Sequence, residues 1–275
     1  MKPRFTGTSS MKDVDYLIIG SGIGGATLAY ALAPSGANIV ILERGEHLQD
    51  SDESRNLTAI FRDGVYRSKE RWLDAAGKPF SPGNFYNVGG NSKFYGGVMY
   101  RYRASDFHAR QLPEGATVEW PFDYDELEPW YGKAEALYQV RGASGIDPTD
   151  PPRSTPFPHV PVPYEPQLED AAARLRGLGL HPSPLPLAVD VDRWLARSKT
   201  PWDGVPDTHT GKTDAETGPL DQALSHPNVS LITGASVSRL ETDADGRRIT
   251  GVHYDLNGDQ KVISADRVIL AAGAV

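Results

Sequence analysis

The tightest constraint on this chain lies between Val14 and Glu43. Tyr16, Leu17, Ile18 and Ile19 form an apolar run that predicts a short buried strand over Val14 to Ile19. Gly20, Gly22 and Gly25 follow in GxGxxG spacing, and Ala26 to Ala33 reads as a helix stopped near Pro34 and Gly36. Asn38 to Leu42 is a second apolar strand, ending in Glu43. Strand, glycine turn, helix and strand fit within about thirty residues, the size of one βαβ unit. Each glycine has a mechanical reason. The first permits the tight turn, the second lets the backbone approach a pyrophosphate, and the third lets the helix pack closely on the sheet. The helix start offers free N–H groups and a positive dipole end to phosphate. Glu43 places a carboxylate where adenosine ribose hydroxyls can donate to it. Gly20, Ser21, Gly22, Ile23, Gly24, Gly25, Glu43 and Arg44 are therefore candidate dinucleotide contacts. Ala29, Leu32, Gly36, Ile39 and Ile41 also stand where such a unit needs small or apolar residues.

A simple NAD-binding domain would continue with another helix and strand soon after Glu43. Here periodicity fades from Gly45 to Arg103, in a stretch rich in Gly, Asn, Arg, Tyr and Phe. Tyr124 to Val140 predicts a helix, with Trp130, Ala134 and Leu137 on one face and Pro129 in its first turn. Pro148 to Pro166 predicts an extended connection, Gln167 to Leu178 a helix, and Asp190 to Thr213 a loop. A short helix over Leu220 to Ser225 precedes strands at Val229 to Thr233, Ser236 to Glu241, Ile249 to Leu256 and Gln260 to Ser264. Asp245-Gly246 and Asn257-Gly258 supply hairpin turns. Arg267 to Ala271 is a last apolar strand, running into Ala272 and Gly273. A remote strand ending in Ala-x-Gly resembles the third strand of large FAD-binding domains, so the expected cofactor is FAD. An acidic ribose contact also disfavours NADP, whose extra phosphate it would repel.

Composition removes other classes. A net charge of −8 argues against a nucleic-acid binder. The absence of cysteine excludes disulfides, thiolate metal sites and a redox cysteine pair, so redox chemistry needs a cofactor. No apolar run is long enough to span a bilayer, and Met1 to Lys12 lacks the apolar core of a signal peptide, so the expected location is the cytoplasm.

Five segments carry a family resemblance: "DYLIIGSGIGGATLAYALAPSGANIVILERG", "NVGGNSKFYGGVMYRYRASDF", "WPFDYDELEPWYGKAEALYQVRG", "KTDAETGPLDQALSHPNVSLITGASV" and "SADRVILAAGAV". In this order they resemble the glucose–methanol–choline (GMC) oxidoreductases over nearly the whole chain, and within them bacterial pyranose and glycoside oxidases and dehydrogenases. The resemblance implies an α/β fold: a Rossmann-like FAD-binding domain of parallel sheet plus β-meander, under a helical and loop-rich cover from an incomplete substrate domain. The FAD domain is expected to be discontinuous, from 1–45, 86–103 and 215–275. The intervals 46–85 and 104–214 form the lid and partial substrate domain.

The resemblance also implies site residues. Gly89, Gly90, Asn91 and Ser92 match a segment that passes along the FAD pyrophosphate towards the flavin, and Tyr95 and Gly96 lie near the ring. Val237 matches an adenine contact; Ala272 and Gly273 match residues beside the phosphates. Phe94 stands where some relatives carry a histidine linked covalently to FAD, so non-covalent FAD is expected. Asn91 and Tyr95 depart from the commoner family pattern.

The family's reaction oxidises an alcohol, here a sugar or glycoside, by hydride transfer to flavin N5, with a histidine base. The family's histidine motifs lie beyond Val275, so a missing C-terminal half or second polypeptide is expected, and the chain alone is expected to be inactive. His47, His108, His159, His181, His209, His226 and His253 read as surface or structural residues. Arg101 and Arg103 fit phosphate neutralisation or salt bridging equally, and Asp123, Asp125 and Glu126 fit helix capping. Trp202 and Asp203 lie in a loop that either borders the substrate site or is plain surface. Alternatives are another FAD oxidoreductase, such as an amine oxidase, and a non-catalytic FAD-binding subunit that works with a partner.

Overall fold

The structure, a computed structural model, describes residues 13–113, 115–197, 199–208 and 211–273. Met1 to Lys12 and His209 lie outside the described residues.

β1 (Tyr16–Ile19), α1 (Ile23–Leu32) and β2 (Ile39–Leu42) form the expected βαβ unit. β3 (Trp72–Leu73) and β4 (Pro79–Phe80) pair with each other, as do β5 (Gln111–Leu112) and β6 (Gly115–Ala116). α2 (Tyr124–Leu137), α3 (Pro166–Gly177), α4 (Val191–Leu195) and α5 (Asp221–Leu224) follow. Then come β7 (Val229–Ile232), β8 (Ala235–Thr242), β9 (Ile249–Leu256), β10 (Asp259–Ile263) and β11 (Arg267–Leu270).

One four-stranded parallel sheet, in the order β11-β1-β2-β7, organises the molecule. Tyr16 pairs with Ile39 on one side and Arg267 on the other. Because side chains alternate along a strand, β1 and β2 feed two cores. Ile18, Ile39 and Ile41 pack under Ala26 and Ala29 of α1 and under Leu220 and Ala223. Leu17, Ile19, Val40 and Leu42 face the antiparallel meander β8-β9-β10 through Ala235, Val252, Tyr254 and Ile263. Both faces are covered, so the strands read as continuous apolar runs, as parallel strands do. The parallel arrangement also puts Gly20, Glu43 and Ala271 at one edge, the carboxyl ends of β1, β2 and β11.

Several local expectations are corrected. α1 begins at Ile23, within the glycine run, rather than at Ala26. Pro129 lies inside α2, not in its first turn, and Trp130 is 62% exposed. The reason is that α2 buries Tyr124 and Glu135, and Glu135 takes a bidentate pair from buried Arg101 (Nε–Oε1 and Nη2–Oε2, both 2.8 Å). An ionic inner face defeats a periodicity read from apolar residues. α4 forms inside the expected Asp190 to Thr213 loop, with the Asp190 side chain accepting from the Arg193 N–H. A wide helical turn over Glu216–Leu220 extends the predicted helix forward. No helix among the described residues is long and apolar enough to cross a membrane.

Candidate cofactor site

At the carboxyl edge of the sheet, Gly20 turns with φ +100°, and a Cβ there would lie 2.5 Å from the Ala271 carbonyl oxygen. A Cβ on Gly25 would lie 2.0 Å from the Gly20 carbonyl oxygen. These two glycines close the strand, the turn and α1 on one another. Gly22 differs, because a Cβ there would meet nothing within 4 Å. Across this gap stands Gly90, whose added Cβ would be 3.6 Å from the Gly22 Cα. No side chain caps α1 and no acid lies in its first turn. A cradle lined by bare backbone at an uncapped helix N-terminus is what a pyrophosphate requires.

Glu43 is buried, and both carboxylate oxygens are engaged. Oε2 accepts from the Ser21 N–H (2.9 Å) and hydroxyl (2.6 Å), and Oε1 accepts from the Gly45 N–H (2.9 Å). The Gly89 N–H donates to Ser21 Oγ at 3.1 Å. Ser21 thus ties the acid at the end of β2 to the second glycine segment. That segment reaches the sheet edge because Gly45 has no side chain: a Cβ there would lie 2.4 Å from Asn87 backbone.

The structure places the other predicted residues as follows. Gly89 and Gly90 both have positive φ, and the Gly90 N–H is spent on the Asn87 carbonyl, so they contribute close approach. Asn91 folds back to accept from the Phe85 N–H (2.9 Å). Ser92 bridges the Gly89 carbonyl (2.6 Å) and the Ala215 N–H (3.0 Å). The Tyr95 hydroxyl donates to the Thr213 carbonyl, and burial pushes its ionisation far upward. Ala272 adjoins Gly20, and Gly273 turns with φ +101°. Ile23 and Gly24 are exposed beside the cradle. Arg44 stacks on Tyr86, 3.6 Å from the ring centroid, and pairs with Glu70. Val237 is half-buried on β8, packed against the core shared by the parallel sheet and the meander. Phe94 stacks on Phe85 at 3.9 Å. Arg101 is taken by Glu135 and Glu128, and Arg103 by Asp147 and Asp150, so both serve salt bridging.

Sequence reasoning missed a buried ionic cluster behind Gly89. Lys93 and Lys212 are fully buried. Lys93 Nζ lies 3.1 Å from Asp214 Oδ2 and 2.8 Å from Glu216 Oε2, and His47 Nδ1 lies 2.5 Å from Glu216 Oε1. Burial works against the Lys93 charge, but Asp214 and Glu216 outweigh it and hold its pKa above the usual range. Burial pushes Lys212 down to about 8, against the pull of Asp214 and Asp207. The one available signal was the density of charge in Lys212-Thr213-Asp214-Ala215-Glu216.

Comparison with known proteins identifies the family. The chain is 33% identical over 245 residues to 6'''-hydroxyparomomycin C oxidase of Streptomyces lividus, covering 84% of this chain and 43% of that protein. It is 32% identical over 240 residues to paromamine 6'-oxidase of Streptomyces fradiae, covering 83% of this chain and 41% of that protein. The chain therefore spans less than half the length of these curated relatives. Among solved structures it resembles pyridoxine 4-oxidase from Mesorbium loti, with a TM-score of 0.61 at 20% identity over 96% of this chain and 50% of that one. The model of the FAD dependent oxidoreductase family matches residues 15–275, so the chain belongs to the FAD-dependent oxidoreductases, with FAD as its cofactor.

Proposed function

We propose that this chain is the cofactor-binding portion of a GMC-type enzyme that oxidises an alcohol group of a sugar or glycoside. The observation that carries the reading is the bare-backbone cradle between Gly22 and Gly90 at the uncapped start of α1. Gly20 to Gly25 and Ala272 to Gly273 would hold the pyrophosphate, Glu43 the ribose, and Arg44 and Val237 the adenine end. The segment from Gly89 through Asn91, Ser92 and Tyr95 to Gly96 would form the flavin wall, continuing from Gly90 at the pyrophosphate. FAD, when bound, supplies the hydride acceptor at its N5.

The chain's own work is to bind and orient. Ser21 and Ser92 hold the glycine segment to Glu43 and Ala215, and the buried Lys93 cluster backs it. The FAD domain is assembled from 1–45, 86–103 and 215–275, with 46–85 and 104–214 as its cover. Further polypeptide completes the alcohol side, in keeping with relatives much longer than this chain. No residue here is assigned as the base. His47, His108 and His253 pair with carboxylates, and His159 with Gln139. FAD is held without a covalent bond, since Phe94 carries no nucleophilic nitrogen.

The test is to mix the FAD-loaded protein anaerobically with sugars, glycosides and simple alcohols. Bleaching of the flavin's visible absorbance by one of them is expected when the polypeptide that completes the alcohol side is present, and not from this chain alone. No bleaching by any in the completed protein would refute the reading, and bleaching by this chain alone would show that the base lies within it. Acid precipitation should leave the yellow colour in the supernatant, and colour in the pellet would show a covalent link.

A further inference from the structure

Lys212 is fully buried, and its ammonium is turned towards backbone. Nζ lies 3.0 Å from the Lys93 carbonyl oxygen and 2.7 Å from that of Tyr95, on the segment running from Gly90 to Gly96. It lies 3.1 Å from the Trp202 carbonyl oxygen and 2.7 Å from that of Val205, on a turn that the Val205 N–H closes onto Trp202 (3.2 Å). A second tie crosses the first: Lys93 Nζ donates to the Asp207 carbonyl, and the Lys212 N–H donates to Asp207 Oδ2 (2.5 Å). The far side of the turn is seated on the cover. A Cβ on Gly204, which has φ +69°, would lie 2.4 Å from the Phe61 ring, and Val205 is buried with Ile60 and Trp194. Thr200 Oγ1 donates to the Arg55 carbonyl at 3.3 Å. Three segments remote in sequence, 55–61, 93–95 and 200–207, are thus joined through one ammonium.

An ammonium has three N–H donors, and here it faces four carbonyl oxygens, so its charge holds the group together as well as its separate bonds. A neutral side chain without donors would leave buried carbonyls unpaired, and the two segments would lose their tie. The cradle is built without this tie. All four acceptors lie outside Gly20 to Gly25, Glu43 and Gly90, where Ser21 makes the connections instead. We propose that Lys212 is a positioning residue for the flavin, holding the stretch from Lys93 to Gly96 in place for the ring while the pyrophosphate cradle forms independently of it. This deepens the function proposed above and rests on its reading of Gly89 to Gly96 as the flavin wall.

FAD and ADP separate the two parts, because ADP carries the adenosine and pyrophosphate but no flavin. The FAD-free protein and its variants are titrated with each by calorimetry. Lys212→Met, similar in length but without charge or donors, should lose about tenfold in FAD affinity, the scale of one bond to a charged group. Its ADP affinity should stay within about twofold of the wild type. Gly204→Ala presses the turn against Phe61, leaves Lys212 in place and should give a smaller loss of the same kind. Gly97→Ala strains the end of the wall directly, at φ +78° and 2.6 Å from Val189, and should lose FAD selectively whatever Lys212 does. If Lys212→Met binds FAD as tightly as the wild type while Gly97→Ala loses it, the proposal falls and the wall reading stands. Where Lys212→Met does not fold, the same outcome in Gly204→Ala overturns the proposal. Equal losses of FAD and ADP in Lys212→Met would overturn it too, since that is the mark of general structural support. If Gly97→Ala also fails to separate FAD from ADP, the flavin does not lie on this segment, and the wall reading falls together with this proposal.

Discussion

Gly22 and Gly25 belong to the same fingerprint, yet the structure predicts opposite outcomes when each gains one methyl group. At Gly22 the backbone has φ −66° and ψ −172°, which alanine adopts freely, and the new Cβ meets nothing within 4 Å. Alanine caps a helix start less well than glycine, but it also lowers the freedom of the unfolded chain. These effects oppose each other, so apoprotein stability should change by no more than about 1 kcal/mol. With cofactor present the methyl occupies the cradle facing Gly90. Overpacking of that kind costs about 1–3 kcal/mol, which is roughly a 5- to 150-fold loss of FAD affinity. At Gly25 the Cβ would sit 2.0 Å from the Gly20 carbonyl, and backbone must move before α1 can pack. Gly25→Ala should therefore lower apoprotein stability by about 1–3 kcal/mol or more, with FAD affinity falling as a consequence. The assays are thermal unfolding of the FAD-free protein and titration with FAD followed by flavin fluorescence. If Gly22→Ala binds FAD as tightly as wild type, the pyrophosphate does not cross Gly22. If Gly25→Ala leaves apoprotein stability unchanged, the close packing of α1 on the turn is wrong.

Three further outcomes follow from named contacts. Glu43→Ala should weaken FAD binding by about 1–3 kcal/mol. It should also destabilise the apoprotein, because Ser21 and Gly45 lose their acceptor; FAD titration and unfolding curves report the two separately. Glu135→Gln should cost about 1–3 kcal/mol in denaturant unfolding, because buried Arg101 loses one charged partner but keeps Glu128. Glu128 is held down to about 2 by the Ser154 N–H and hydroxyl and by Arg101. Its folded value lies below its ordinary 4.5, so its contribution to stability is complete above that and lost as pH falls towards 2. The stability deficit of Glu128→Gln should therefore be present near neutral pH and vanish in strong acid, and a pH-independent deficit would contradict this.

The sequence by itself determined the βαβ unit, because its signals are local. An apolar run, three glycines at fixed spacing and an acid at the next strand's end each act within a few turns of chain. The hairpin at Asn257 and Gly258 was legible for the same reason, and both residues carry the positive φ that such a turn needs. The return of Arg267 to Ala271 to the parallel sheet was legible only through its likeness to the third strand of FAD-binding domains, since so remote a parallel partner leaves no mark on local periodicity, and the structure pairs it with β1 as expected. The tertiary structure alone joined Ser21 to Glu43 and Gly89, and only by folding did Gly45 become the place where the Asn87 backbone lands. The charged residues show the limit most clearly. Locally Lys93, Lys212, Asp214, Glu135 and Arg101 read as solvent-facing, because a charge is buried only when a partner arrives to compensate it. Those partners come from segments far away in the chain, so their burial is a property of the fold and not of any stretch of sequence.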